Sequence, residues 1–166
     1  MDIMDQKIAI VPGSFDPITL GHLDIIERAA ALYDLVYVAV MVNSEKSYMF
    51  SMEQRKRIAE AAVGNCPNVK VISSEGMLWK LAKELGAVAI VKGVRNDVDL
   101  AYEQTMAKYN SAHYSAAETV LLPAKEEYLH LSSTLVRTKI LAREDLSACL
   151  PKGAICEIQK VFPTTL

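Results

Sequence analysis

Long apolar runs, cysteines and an excess of either charge are all scarce in this sequence. The longest apolar stretch, Leu35 to Val42, falls far short of the roughly 20 residues that span a bilayer, so no membrane partner is expected. Asp2 and Asp5 stand where a secretory segment would carry positive charge. The three cysteines, Cys66, Cys149 and Cys156, form no C-x-x-C pair, and their odd number suits a reducing cytoplasmic setting rather than a disulfide framework. Against 20 Asp and Glu stand 18 Lys and Arg, a formal charge of −2, with no basic run to coat a nucleic acid. Neither G-x-G-x-x-G nor G-x-x-x-x-G-K-[ST] occurs, which argues against a dinucleotide oxidoreductase and a P-loop ATPase. G-x-S-x-G, H-E-x-x-H and a Cys–His pairing are missing too, so neither a covalent nucleophile nor a zinc-bound water is indicated.

What is present is a core-forming chain of 166 residues, 51% of them apolar, long enough to bury roughly 70% of its unfolded surface without a staple. It reads as a single domain over residues 1–166. Short β-branched runs alternate with helical stripes. The runs are Ile8 to Val11, Leu35 to Val42, Val69 to Ile72, Ala87 to Val91 and Thr119 to Leu122, continuous as in strands covered on both faces. Between them fall helices over Leu20 to Tyr33, Met52 to Val63, Met77 to Leu85 and Val98 to Ala112, and another begins near Ser132. Ser51 with Gln54 forms a capping box, and Gly86 ends a helix. The expected fold is α/β, a Rossmann-like five-stranded parallel sheet with helices on both faces. In such sheets ligands sit beyond the carboxyl ends of the strands.

The chemistry gathers there. After the first strand comes Pro12-Gly13-Ser14-Phe15-Asp16-Pro17-Ile18-Thr19-Leu20-Gly21-His22. Gly13 would allow close backbone approach, and the helix start at Thr19 to His22 favours an anion. A histidine on that first turn can point an N–H at phosphate. Asp16 reads as a turn or cap residue rather than an acid catalyst. Lys46 follows the second strand, Lys92-Gly93-Val94-Arg95 the fourth, and Leu131-Ser132-Ser133-Thr134 opens the last helix. Two anion-favouring helix starts and three cations suit a polyphosphate together with a second phosphate. A phosphate acceptor is already ionised near neutral pH and needs no general base. The protein's tasks are then to align two repelling anions and to stabilise charge at the attacked phosphorus.

On these residues the chain resembles the phosphopantetheine adenylyltransferase family of the T/H-x-G-H nucleotidyltransferases, from about Lys7 to about Pro163. The Pro12 to His22 segment carries the superfamily likeness. Met49 to Arg55, Gly93-Val94-Arg95, Asp99-Leu100-Ala101-Tyr102-Glu103 and Leu131 to Val136 carry the family. The resemblance implies a nucleotidyltransferase fold and transfer of an adenylyl group from ATP to 4′-phosphopantetheine, giving dephospho-coenzyme A and pyrophosphate in coenzyme A synthesis. It also implies a homohexamer and a transition-state role for His22 at the α-phosphate, while Mg2+ is expected from the chemistry of triphosphates, which hold it through their own oxygens. Ser14, Phe15, His22, Gly93, Val94, Arg95 and Glu103 would hold ATP, as would Tyr128, Leu129, His130, Leu131, Ser132, Ser133 and Thr134. Ser14, Lys46, Leu78 and Lys92 would hold the acceptor, with Lys46 also catalytic.

This sequence departs from the family pattern in places. Ser14 replaces a frequent Thr, Thr134 a Ser, Lys92 a usual Arg and Ala101 a usual Glu, and one extra residue lies between Pro123 and Tyr128. Lys92 keeps the charge but loses the bidentate fork. Trp79 and the methionines read as core or subunit-contact residues. His113 and His130 have no metal-ligand partners at suggestive spacing, and no metal ligand is named. A nicotinate mononucleotide adenylyltransferase is the nearest rival, since it shares the first motif and the Ser132-Ser133-Thr134-Leu135-Val136-Arg137 pattern. A nucleotide sensor without turnover is the rival from another class.

Overall fold

The computed structural model describes residues 6–163; Asp2 and Asp5 lie outside them. Five parallel strands form one sheet in the order β3-β2-β1-β4-β5: β1 Ile8–Gly13, β2 Leu35–Met41, β3 Val69–Ser74, β4 Ala89–Val94 and β5 Glu118–Pro123. Alternating side chains of each strand feed two cores. Ala9 and Val11, Val36, Val38 and Val40, and Ala89 and Val91 face one cluster; Ile10, Ala39 and Ile90 face the other. This explains why β1, β2 and β4 read as continuous apolar runs. The expectation that all five strands are buried on both faces fails for β3 and β5. These are the edges, and Lys70 and Ser73 on β3 and Glu118 and Pro123 on β5 are exposed.

The helices are α1 Leu20–Leu32, α2 Met52–Val63, α3 Leu78–Leu85, α4 Asp97–His113, α5 Ser133–Leu141 and α6 Lys152–Val161. The Ser51–Gln54 capping box is formed, and Gly86 closes α3 in the left-handed region at φ 64°, where a Cβ is costly. Helix α6 is an addition to the sequence reading. Its start at Pro151 has no side-chain cap, and Gly153 lets it approach α2 so closely that a Cβ there would stand 2.9 Å from the Ala61 carbonyl. Trp79 stacks on His113, ring centroids 5.0 Å apart, and so joins α3 to α4. No helix among the described residues is long and apolar enough to cross a membrane.

The chain lays β2 and β3 on one side of β1, then returns to lay β4 and β5 on the other. Loops leaving the carboxyl ends of β1 and β4 therefore diverge and open a crevice between them.

Candidate active site

The crevice begins with the turn from β1 into α1. Thr19 caps α1, its hydroxyl accepting the His22 N–H at 3.3 Å, while His22 Nδ1 accepts the Thr19 N–H at 3.0 Å. Together these form a capping box with an imidazole in the place usually taken by Glu or Gln. A backbone N–H can only donate, so Nδ1 carries no proton and the neutral ring is protonated at Nε2. Burial first, then the nearby charges of Lys92 and Arg95, lower the His22 pKa from 6.5 to about 4. At neutral pH His22 is thus an uncharged Nε2–H donor on the first turn of α1, where the Leu20 N–H is taken by the Cys149 carbonyl and the His22 N–H by Thr19.

Three elements immobilise the loop before it. Asp16, 3% exposed, accepts the N–H groups of Met49 at 2.9 Å and Phe50 at 3.0 Å, and Arg137 from α5 donates to its carbonyl at 2.8 Å. Ser133 donates to the Pro17 carbonyl at 2.8 Å. Buried Arg55 from α2 donates to the Ser14 carbonyl at 2.7 Å and the Met41 carbonyl at 3.0 Å, its guanidinium 4.0 Å from the Tyr48 ring centre. The sequence reading made Asp16 a turn or cap residue, and both its oxygens do accept backbone N–H groups. Its partners, however, lie across the chain rather than within its own turn.

Phe15 takes φ 47°, and its buried ring meets His22 edge-on at 5.2 Å. That ring also covers Gly13, where a Cβ would come within 3.0 Å of it. The absence of a side chain at Gly13 makes room for the Phe15 ring. Gly93 is similar: a Cβ there would stand 2.9 Å from Ile25 Cγ1 on α1, so the packing of α1 over β4 accounts for that glycine.

The cations differ in their surroundings. Arg95 bonds Asp99 at 3.0 Å through Nε and the Leu131 carbonyl at 3.3 Å through Nη1, which ties the end of β4 to the start of α5. Lys92 pairs with Glu103 at 3.2 Å. Glu103, associated with ATP through the resemblance, lines a cavity of about 70 Å3 together with Lys92 and Leu78. An open groove of about 500 Å3 adjoins it, again with Leu78 on its wall. Lys46 lies exposed on the loop after β2. Met106 and Asn110, which the sequence reading overlooked, line both spaces. The signal for them is spacing: positions 103, 106 and 110 share one face of α4.

The hydroxyls opening α5 have separate tasks. Ser132 caps the helix through the Leu135 N–H at 3.1 Å, Ser133 holds Pro17, and Thr134 accepts from Arg137 at 3.1 Å. Upstream, Leu129 and His130 are exposed and Leu131 is buried. Tyr128 closes a short 3-10 turn over Glu126–Tyr128.

Residues 10–139 match the family described as cytidylyltransferase-like. A phosphopantetheine adenylyltransferase of Streptococcus sanguinis (strain SK36) is 41% identical over 159 residues, 95% of this chain and 97% of its own. Another, from Limosilactobacillus reuteri (strain DSM 20016), is 45% identical over 146 residues, 88% of this chain and 84% of its own. A crystal structure from Vibrio parahaemolyticus, provisionally named a nicotinate-nucleotide adenylyltransferase, superposes with a TM-score of 0.72 over 93% of both chains at 18% identity, a likeness of fold alone. The chain belongs to the cytidylyltransferase-like family and, within it, to the phosphopantetheine adenylyltransferases.

Proposed function

We propose that the crevice transfers the adenylyl group of ATP directly to 4′-phosphopantetheine. A phosphate oxygen of the acceptor forms the new bond to the α-phosphorus, the bond from that phosphorus to the bridging oxygen breaks, and pyrophosphate leaves with the electron pair; dephospho-coenzyme A is the other product. A phosphate monoester has its second pKa near 6, so the attacking oxygen is ionised at neutral pH and no protein base is required. The observation that carries this reading is His22, fixed by Thr19 as a neutral Nε2–H donor beside Lys92 and Arg95. Such a donor can strengthen its hydrogen bond as charge grows on the α-phosphate.

In this reading Ser14, the Phe15 backbone, Gly93, Val94, Arg95 and the segment from Tyr128 to Thr134 hold ATP. Lys92 and Lys46 receive the acceptor phosphate, with Ser14 between the two reactants, and Leu78 lies along the acceptor's arm. Glu103, paired with Lys92 at 3.2 Å on the wall of the smaller cavity, belongs to the ATP side as well. Mg2+ would accompany the triphosphate on that ligand's own oxygens, where it shields charge. Among the described residues no cluster of three or more His, Cys, Asp or Glu side chains could hold a metal, so no residue is assigned to the ion. A cytoplasmic homohexamer completes the proposal. Association of subunits is supported by the exposed Val98, Tyr102 and Tyr109 on one face of α4, a surface that a neighbouring subunit would cover and that borders the two spaces lined by Tyr102 and Tyr109.

The test is incubation with ATP and Mg2+ and either acceptor. Pyrophosphate release with 4′-phosphopantetheine and none with nicotinate mononucleotide is the expected result. The reverse preference contradicts the acceptor assignment, and ATP binding without release from either acceptor favours a sensor.

A further inference from the structure

Helix α1 presents His22 to the crevice, but a second face of the same helix touches the segment that leads into α5. Gly21, Asp24 and Arg28, spaced three and four apart, share that face. The Gly21 backbone passes close enough to Tyr128 that a Cβ would be 3.6 Å from the tyrosine's own. Asp24, 7% exposed, takes Lys125 Nζ at 3.0 Å on one oxygen and Arg28 Nη1 at 3.2 Å on the other. The same Arg28 nitrogen donates to the Pro123 carbonyl at 3.0 Å. Three successive turns of α1 therefore grip residues 123, 125 and 128.

We propose that Asp24 is a positioning residue for the nucleotide: through Lys125 and Arg28 it fixes the path of residues 123–128 relative to His22, and so sets ATP affinity without touching ATP. The proposal rests on the assignment of Tyr128 to Thr134 to ATP. An isolated surface ion pair would do little, but this carboxylate is nearly buried and shared by two cations, one of which also holds a backbone carbonyl. A chain segment anchored before the ligand arrives costs less ordering on binding.

Lys125 is 55% exposed at its side chain, so its truncation leaves the core intact. Steady-state kinetics of Lys125→Ala should show the KM for ATP raised roughly three- to tenfold, as expected for loss of one charge-assisted hydrogen bond. The KM for 4′-phosphopantetheine and kcat should stay within about twofold, and Lys125→Arg should restore the ATP value. In Asp24→Asn the ATP KM should rise as well, and adding Lys125→Ala to it should bring little further loss, because both changes open one clasp. An unchanged ATP KM in Lys125→Ala, equal rises for both substrates, or fully additive losses in the double variant would overturn the clasp; additivity would mean that Lys125 contacts ATP itself. A wild-type chain with no turnover on these substrates would instead count against the functional reading.

Discussion

His22→Ala should lower kcat by about 10²- to 10³-fold, the usual loss on removing one preorganised donor from a developing negative charge. The KM for ATP should change much less, since the Nε2–H gains strength chiefly in the transition state. The expectation comes from the capping box. Thr19 occupies Nδ1, so the ring has one free polar edge and that edge is a donor. His22→Gln sharpens the test, because Gln54 already fills the same capping position in α2. A glutamine at 22 can accept the Thr19 N–H through its oxygen and still present an N–H2 outward, so part of the lost rate should return. Rates measured at saturating substrates check both variants. A kcat for His22→Ala within threefold of wild type would remove His22 from the chemistry.

Asp16→Ala should cost about 2–4 kcal/mol of folding stability, because it leaves the buried N–H of Phe50 and the half-buried N–H of Met49 without their acceptor, at roughly 1–3 kcal/mol for a buried donor and less for the other. The same carboxylate faces Arg137 at 3.8 Å, so a cation loses its partner too. Asp16→Asn keeps one acceptor oxygen and turns an N–H2 toward the other donor, and should fall between the two. Denaturant unfolding monitored by circular dichroism reads the difference. A loss below about 1 kcal/mol for Asp16→Ala would show that the loop is held without this clasp.

Much of the fold was legible because parallel strands and amphipathic helices leave local signatures. The α2 boundaries, the Ser51–Gln54 box and the Gly86 stop are all written in adjacent residues. Edge status is different. Whether β3 or β5 is covered depends on the order in which distant strands pair, and their β-branched runs resemble those of β1 and β4. Helix α6 escaped because nothing caps its start and a glycine occupies its second position. Within the site, the T-x-G-H segment was legible as a helix start with a histidine on its first turn. The tautomer of that histidine, the Asp16 acceptors 33 and 34 residues away and the Lys92–Glu103 pair required three-dimensional contacts. The packing that Gly13 and Gly93 permit against Phe15 and Ile25 was not legible either, since a glycine that clears space for a side chain has the same sequence appearance as one that clears space for a ligand.

The account depends on His22 being a neutral Nε2–H donor in the free enzyme, and nitrogen-15 NMR of the imidazole ring reads this directly. The expected spectrum has Nδ1 bare and Nε2 protonated across neutral pH, with protonation only as the pH falls to about 4, while an unfolded chain would take up that proton near 6.5. The folded ring resists the proton, so this site weakens the fold as pH falls from 6.5 toward 4 and has no such effect above that window. A titration midpoint at 6.5, or a proton on Nδ1 at neutral pH, would contradict the account.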